Sequence, residues 1–117
     1  MIRVTEQTNA TVLRLESGYA SLSEDALEEL GSILLIKANV AEPPVIVLDC
    51  EEMGMMGSRC IELFVRAWKR LSGRGGRLLF CNLQPFCRDV LRVVRLDGLW
   101  EIYPSLEAAL SAADRAS

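Results

Sequence analysis

The segment VIVLD, residues 45–49, decides the fold of this chain. An unbroken apolar run of this length is typical of a strand that is covered on both faces by helices. A short glycine-containing loop follows it, and Gly57 and Ser58 then open a segment with helical periodicity. We therefore predict a central strand that delivers Ser58 to a helix N-terminus. Free backbone N–H groups and the helix dipole would stabilise a phosphate there.

The helix predicted from Ser58 is amphipathic. Its apolar stripe consists of Cys60, Ile61, Leu63, Phe64, Ala67, Trp68 and Leu71. The remaining arc consists of Arg59, Glu62, Arg66, Lys69 and Arg70. A stripe of this width indicates a helix that packs on a sheet through one face. We expect Trp68, and likewise Trp100, to be core or half-buried residues rather than recognition anchors.

The other elements follow from turn and capping signals on either side. Residues 2–5 and 11–15 predict a hairpin, and the capping-box pattern at residues 21–24 predicts a helix that stops before Pro43. Strands are predicted at 77–81 and 100–103, with Pro85 starting one helix and Ser105 capping the last. The predicted fold is α/β, a mixed sheet backed by about four helices in the order β-β-α-β-α-β-α-β-α. We expect a single domain over residues 1–117.

Composition excludes several classes of function. The chain of 117 residues is 50% hydrophobic and 25% charged, with a net charge of -3 and interspersed signs. This gives no basic footprint for nucleic acid or anionic membrane. No apolar segment approaches the roughly 20 residues of a membrane span, so we expect no membrane insertion and a cytoplasmic protein.

Metal, cofactor and catalytic chemistry are not expected. The four cysteines show no C-x-x-C pairing, and without histidine a zinc site would need all four, so buried reduced thiols are favoured. Glu51 and Glu52 are adjacent and would face apart on an extended segment. The glycines of residues 73–76 follow a helix, whereas a phosphate-cradling loop precedes one. We predict no cofactor, no metal and no enzymatic activity.

With this element order, three segments resemble the STAS domain, the sulfate-transporter and anti-sigma-factor-antagonist family. They are the strand and loop of residues 45–58, the strand entry RGGRL of residues 74–78 and the segment WEIYPSLEAAL of residues 100–110. The resemblance implies a signalling module that binds an anti-sigma factor or a related serine kinase. One mild departure is Gln84, which replaces the serine that usually precedes the proline of this family's next helix.

The larger departure lies at the helix start. Antagonists of this family typically carry Asp-Ser-Ser-Gly there, and the second serine is phosphorylated by the partner kinase. This chain reads Gly57-Ser58-Arg59-Cys60, so Arg59 occupies the usual phosphoacceptor position. The phosphoswitch of the family therefore does not transfer intact.

Two interpretations of Ser58 and Arg59 remain open. In the first, Ser58 caps the helix and Arg59 is a solvated side chain. In the second, Ser58 is a surrogate phosphoacceptor, or Arg59 supplies a fixed charge at a docking face. In the preceding loop, Met55 and Met56 are expected to be buried, and Met53 to be exposed as an adaptable contact.

The leading hypothesis is an antagonist-like module that binds its partner through residues 51–70. The candidate switch is Ser58, and the candidate partner-binding residues are Met53, Gly57, Ser58, Arg59, Glu62 and Arg66. The alternatives are a structural or regulatory STAS subunit of a transporter or scaffold complex, and a sensor of a small ligand. A homodimer is compatible with each of them.

Overall fold

The computed structural model describes residues 2–16, 24–54 and 56–115 of the chain. Five strands and four helices alternate in the predicted order. They are β1 (Ile2–Glu6), β2 (Thr11–Leu15), α1 (Glu24–Val40), β3 (Val45–Asp49), α2 (Ser58–Gly73), β4 (Arg77–Cys81), α3 (Pro85–Val93), β5 (Glu101–Tyr103) and α4 (Leu106–Asp114). The capping-box pattern at residues 21–23 and the predicted burial of Met55 lie outside the described residues.

The strands form one sheet in the order β1-β2-β3-β4-β5, so the predicted central position of β3 is confirmed. β1 and β2 pair antiparallel as a hairpin, whereas β2, β3, β4 and β5 are parallel neighbours. Each new parallel strand is added on the same side of the last one. Because crossovers between parallel strands are right-handed, α1, α2 and α3 lie on one face of the sheet.

Side chains of β3 alternate between two cores. Ile46 and Leu48 belong to the core under α1, α2 and α3, together with Phe64 of α2. Val45 and Val47 belong to a second core that α4 covers with Ala109 and Ala112. All five residues of β3 are buried, which explains why its sequence shows no apolar–polar alternation.

An aromatic cluster anchors α2 to the sheet. The ring of Phe64 meets Phe80 edge-on at 5.3 Å between centroids, and Trp100 stacks on Phe80 at 4.9 Å. Such pairs add roughly 0.5–1.5 kcal/mol beyond the area they bury. Trp100 is buried and Trp68 half-buried, as the sequence predicts. The middle of α2 is therefore fixed on the sheet independently of the conformation of its first turn.

The end of α2 is shaped by a close approach of two chain segments. Gly76 lies against Pro44, and a Cβ at position 76 would come within 2.0 Å of the Pro44 carbonyl oxygen. Arg74 donates to the carbonyl oxygens of Ala38 and Ala41 at 2.9 and 2.8 Å, which ties the end of α2 to the end of α1. The two helices are thus fixed side by side on the sheet.

Candidate functional site

The site is built where the parallel strands end. Asp49, the last residue of β3, is a buried carboxylate with three donors around it. Arg14 Nη1 donates to it at 3.4 Å, Asn82 Nδ2 at 3.1 Å and the Glu51 N–H at 3.2 Å. β2, β3 and the residue after β4 thus meet at this carboxylate. The bonds satisfy a buried charge that would otherwise be costly.

Arg14 also fastens the loop that leaves β3. Its Nη2 donates to Glu51 at 3.2 Å and to Glu52 at 3.3 Å. The hydrogen bond to Glu52 and the charge of Asp49 raise the pKa of Arg14 further above its ordinary value. Glu51 and Glu52 form a loop pair, because the chain turns at these residues instead of extending. Both carboxylates converge on one guanidinium.

Met53 lies inside the loop rather than on its surface. Its side chain is fully buried in the core under α1, α2 and α3, so the expectation that it is exposed is wrong. Its backbone N–H donates to Cys50 O at 3.0 Å, and its carbonyl accepts from Cys87 Sγ at 3.5 Å. This turn carries the thioether inward. Met56 is buried, as predicted.

The first turn of α2 starts with exposed residues and lacks a side-chain cap. Gly57 is the N-cap residue, in extended conformation, and the N-cap position makes no side-chain hydrogen bond to the first turn. The Gly57 carbonyl accepts from the Ile61 N–H at 3.0 Å, which makes Ser58 the first helical residue. The interpretation of Ser58 as the cap is therefore wrong. Gly57, Ser58 and Arg59 are all exposed, so the Ser58 hydroxyl faces solvent.

Arg59, Glu62 and Arg66 follow on the exposed arc of α2 and line a groove between α1 and α2. The groove has a volume of about 440 Å³. Five of the six predicted partner-binding residues are thus exposed at the N-cap of α2 or along the helix: Gly57, Ser58, Arg59, Glu62 and Arg66. Met53 is the member of the candidate set whose side chain the structure separates from this surface.

The cysteines give the site no nucleophile. All four are free and buried, which confirms the prediction of buried reduced thiols. Cys60 lies in the first turn of α2, where the helix dipole favours a thiolate. Burial, with a smaller contribution from the neighbouring Cys87, nevertheless raises the pKa of Cys60 to about 12. Its thiol is therefore protonated at neutral pH.

No metal-binding cluster of histidine, cysteine or carboxylate side chains occurs among the described residues. No helix in the described ranges is long and apolar enough to cross a membrane. The site therefore consists of a loop held by side-chain hydrogen bonds, a helix N-terminus without a side-chain cap, and the charged, exposed arc of α2.

Sequence reasoning missed the residues that anchor the loop. Asn82, with φ of 57°, contacts Asp49 from the end of β4, and Gln84 Nε2 donates to Glu51 O at 2.8 Å. Arg14, on β2, donates hydrogen bonds to Asp49, Glu51 and Glu52. The available signal was that polar residues at the carboxyl ends of neighbouring parallel strands meet at one sheet edge. Gln84 is also the N-cap residue of α3 and makes no side-chain cap bond, consistent with the loss of the usual serine.

Comparison with known proteins gives the family. The model of the STAS domain matches residues 1–109, so the chain belongs to the STAS domain family. An anti-sigma-factor antagonist (STAS) domain protein from Planctomyces limnophilus is 33% identical, with a TM-score of 0.90 over 97% of this chain and 98% of that chain. No curated protein matches the sequence significantly.

Two more distant structures share the fold. The Bacillus cell fate determinant SpoIIAA in its phosphorylated form is 19% identical, with a TM-score of 0.72 over 98% of this chain and 100% of that chain. The murine anion transporter Slc26a9 is 13% identical, with a TM-score of 0.73 over 93% of this chain and 18% of that chain. The fold therefore occurs both in small antagonist proteins and within a transporter.

Proposed function

We propose that this protein is an antagonist of an anti-sigma factor, a non-enzymatic module that binds its partner through residues 57–59 and through Glu62 and Arg66 on the exposed arc of α2, beside the loop that starts at Glu51. The observation that carries the proposal is the exposed, uncapped first turn of α2 beside an anchored loop. The 33% identity to an anti-sigma-factor antagonist domain protein over nearly the whole chain supports it.

The anchored loop favours binding for an energetic reason. Arg14, Asp49 and Gln84 hold the loop through contacts to three other elements. Binding to a loop that is already ordered costs less conformational entropy. The cost is lower by roughly 0.5–1.5 kcal/mol for each side chain that is already immobilised.

We further propose that binding is constitutive. Phosphorylation adds about −1.5 to −2 charge at a hydroxyl, and Arg59 has no hydroxyl at the position that the family phosphorylates. Ser58 keeps an exposed hydroxyl one residue earlier, but its side chain starts from a different position on the helix. A fixed cation at position 59 instead suits a carboxylate or phosphate of the partner.

The alternative of a transporter or scaffold subunit has narrower support. The likeness to Slc26a9 is one of fold, at 13% identity and 18% of that chain. The groove beside α2 is open and carries charged side chains, which suits a protein partner better than the sensor alternative. The identity to the antagonist domain protein therefore favours the antagonist function.

The test is the affinity for an anti-sigma factor kinase of the source organism, measured by titration calorimetry with and without ATP. We expect equal affinity in both conditions for the unmodified protein. Arg59→Ser should create a hydroxyl that the kinase phosphorylates, so that ATP lowers affinity. Arg59→Glu should weaken binding without ATP, because it reverses the charge at the docking face.

Two variants serve as controls. Lys69→Glu makes the same charge reversal at an exposed position further along α2 and should weaken binding much less. Ser58→Ala should leave affinity unchanged in both conditions. If ATP lowers the affinity of the unmodified protein and Ser58→Ala abolishes that loss, Ser58 is the phosphoswitch and constitutive binding is wrong. If the kinase does not bind at all, the antagonist function is wrong.

A further inference from the structure

We propose that the groove between α1 and α2 seats an amphipathic helix of the partner protein, with an acidic edge of that helix facing α2. The inference rests on the proposed function, because the α2 wall of the groove belongs to the same docking face. It adds the shape and the charge pattern of the segment that the partner contributes.

The shape of the groove follows from one glycine. Gly31 of α1 packs against Leu63 of α2, and a Cβ at position 31 would lie 3.2 Å from Leu63 Cδ2. The two helices therefore approach closely at this point, and the side chains beyond it form two walls. A groove of about 440 Å³ between neighbouring helices is a form that a third helix fills, as in helix-in-groove recognition.

The groove offers apolar contacts for such a helix. Leu27, Leu35 and Leu63 line it and are half-buried. Ile36 lines it with 58% of its surface exposed, so most of its aliphatic surface is open to a partner. Residues spaced by three or four positions on a partner helix can cover these side chains.

The charges of the two walls differ. The α2 side carries a formal charge of +2, because three arginines and one carboxylate line it: Arg59, Arg66, Arg70 and Glu62. Glu28 lies on the α1 side. Arg70 Nη1 lies 3.5 Å from Leu35 O, so this cation is directed across the groove. The chain as a whole carries -3, which makes a cationic helix arc a local exception. Charge complementarity therefore specifies acidic residues on the edge of the partner helix that meets α2.

The test uses three labelled peptides of about 18 residues, stapled into helices because short helices are marginal in water. They share one apolar stripe and carry Glu, Lys or Gln along one edge. We expect the Glu peptide to bind the protein at least about tenfold more tightly than the Lys peptide in fluorescence anisotropy. Arg66→Glu should remove this preference, and Ile36→Asp should weaken the Glu peptide at least about tenfold.

Each variant has a matched control on the same helix. Val40 is 60% exposed on α1 and does not line the groove, so Val40→Asp controls for Ile36→Asp. Lys69 is exposed on α2 and does not line the groove, so Lys69→Glu controls for Arg66→Glu. Both controls should change peptide affinity by less than about twofold. All four substituted side chains are exposed or at the surface, so the fold should persist, which circular dichroism checks.

Several results would overturn the inference: equal binding of the Glu and Lys peptides, no effect of Ile36→Asp, or controls that weaken binding as much as the groove variants. Kinase affinity is measured on the same variants. If the kinase binds and Ile36→Asp leaves its affinity unchanged, the groove proposal is wrong and the antagonist function still holds. Discriminating peptide binding without any kinase binding supports the groove and overturns the antagonist function.

Discussion

Two helices start at the same edge of the sheet, α2 after β3 and α4 after β5, and their first turns are built differently. In α4, Ser105 caps the helix by accepting from the Ala108 N–H at 3.1 Å, and Glu107 in the first turn complements the helix dipole. In α2, Gly57 provides no side-chain cap and the first turn contains no acidic residue.

The difference shows that the start of α2 lacks local interactions that stabilise the start of α4. Arg59 in the first turn of α2 opposes the dipole, at a typical cost of about 0.3–1 kcal/mol for an exposed charge. The packing of the core face of α2 on the sheet offsets this cost. The side-chain cap and the first-turn acidic residue of α4 are absent at α2, and α3 lacks both as well. The proposed docking role of the start of α2 therefore depends on the exposure of Ser58 and Arg59 beside the anchored loop, and the missing cap alone does not distinguish it.

The largest expected effect tests whether the core face of α2 carries its stability. Phe64→Ala should lower the free energy of unfolding by about 3–5 kcal/mol, because it removes a fully buried ring packed on Phe80 and Trp100. Arg66→Ala on the exposed arc should stay within about 0.5 kcal/mol. Urea titrations measure both. Equal losses would mean that the two faces of α2 are not assigned correctly.

The next prediction compares the two caps directly. Ser105→Ala should cost about 1 kcal/mol, since it removes the acceptor for the Ala108 N–H. Ser58→Ala should change stability by less than about 0.5 kcal/mol, since Ser58 makes no cap bond. Paired thermal and urea unfolding decides the matter. A loss at Ser58 as large as at Ser105 would show that its hydroxyl caps α2 after all.

A smaller effect should appear when α2 is given the cap that it lacks. A Cβ at position 57 meets no heavy atom within 4 Å, and the backbone of Gly57 is extended, so Gly57→Asp fits without strain. We expect a stability gain of a few tenths of a kcal/mol from the new cap. Affinity for the anti-sigma factor kinase should change by less than about twofold, because antagonists of this family typically carry aspartate at this position. Urea titration and titration calorimetry measure the two effects, and a loss of stability would show that an aspartate at position 57 does not cap α2.

The smallest effect concerns pH and contrasts two arginine sites. Arg77 holds Glu101 with two bonds of 2.8 and 2.6 Å, whereas Arg14 shares three carboxylates at 3.2 to 3.4 Å. The hydrogen bonds from Arg77 lower the pKa of Glu101 below its ordinary 4.5. A lowered folded pKa gives stabilisation that is present above the unfolded pKa and lost as pH falls through the folded one.

Glu101→Gln should therefore flatten the decline of unfolding free energy below about pH 4.5. Glu42→Gln, at an exposed carboxylate bonded to Arg74, provides the control and should keep the slope. Urea titrations from pH 3 to 6 measure this. If both variants keep the slope of the unmodified protein, the Arg77–Glu101 pair does not contribute to acid sensitivity.

The sequence by itself determined the order of the elements, because each has a local signal. The unbroken apolar run of β3 indicates a buried strand, and the periodic apolar stripe of α2 indicates an amphipathic helix. Pro85 and Ser105 mark helix starts through bonding that involves only neighbouring residues. Free, buried cysteines followed from the absence of pairing motifs. The replacement of the usual phosphoacceptor by Arg59 could also be read from the sequence, because it concerns a single position.

The tertiary structure alone decided how the site is held. Arg14 and Asp49 are separated by 35 residues, and Asn82 and Asp49 by 33, so only the parallel sheet brings them to one edge. The Met53 carbonyl accepts from the thiol of Cys87, 34 residues further along the chain, and no local pattern encodes this contact. The groove likewise exists because Gly31 lets α1 approach α2. Local preferences specify elements, whereas side chains distant in the chain meet only after those elements have packed.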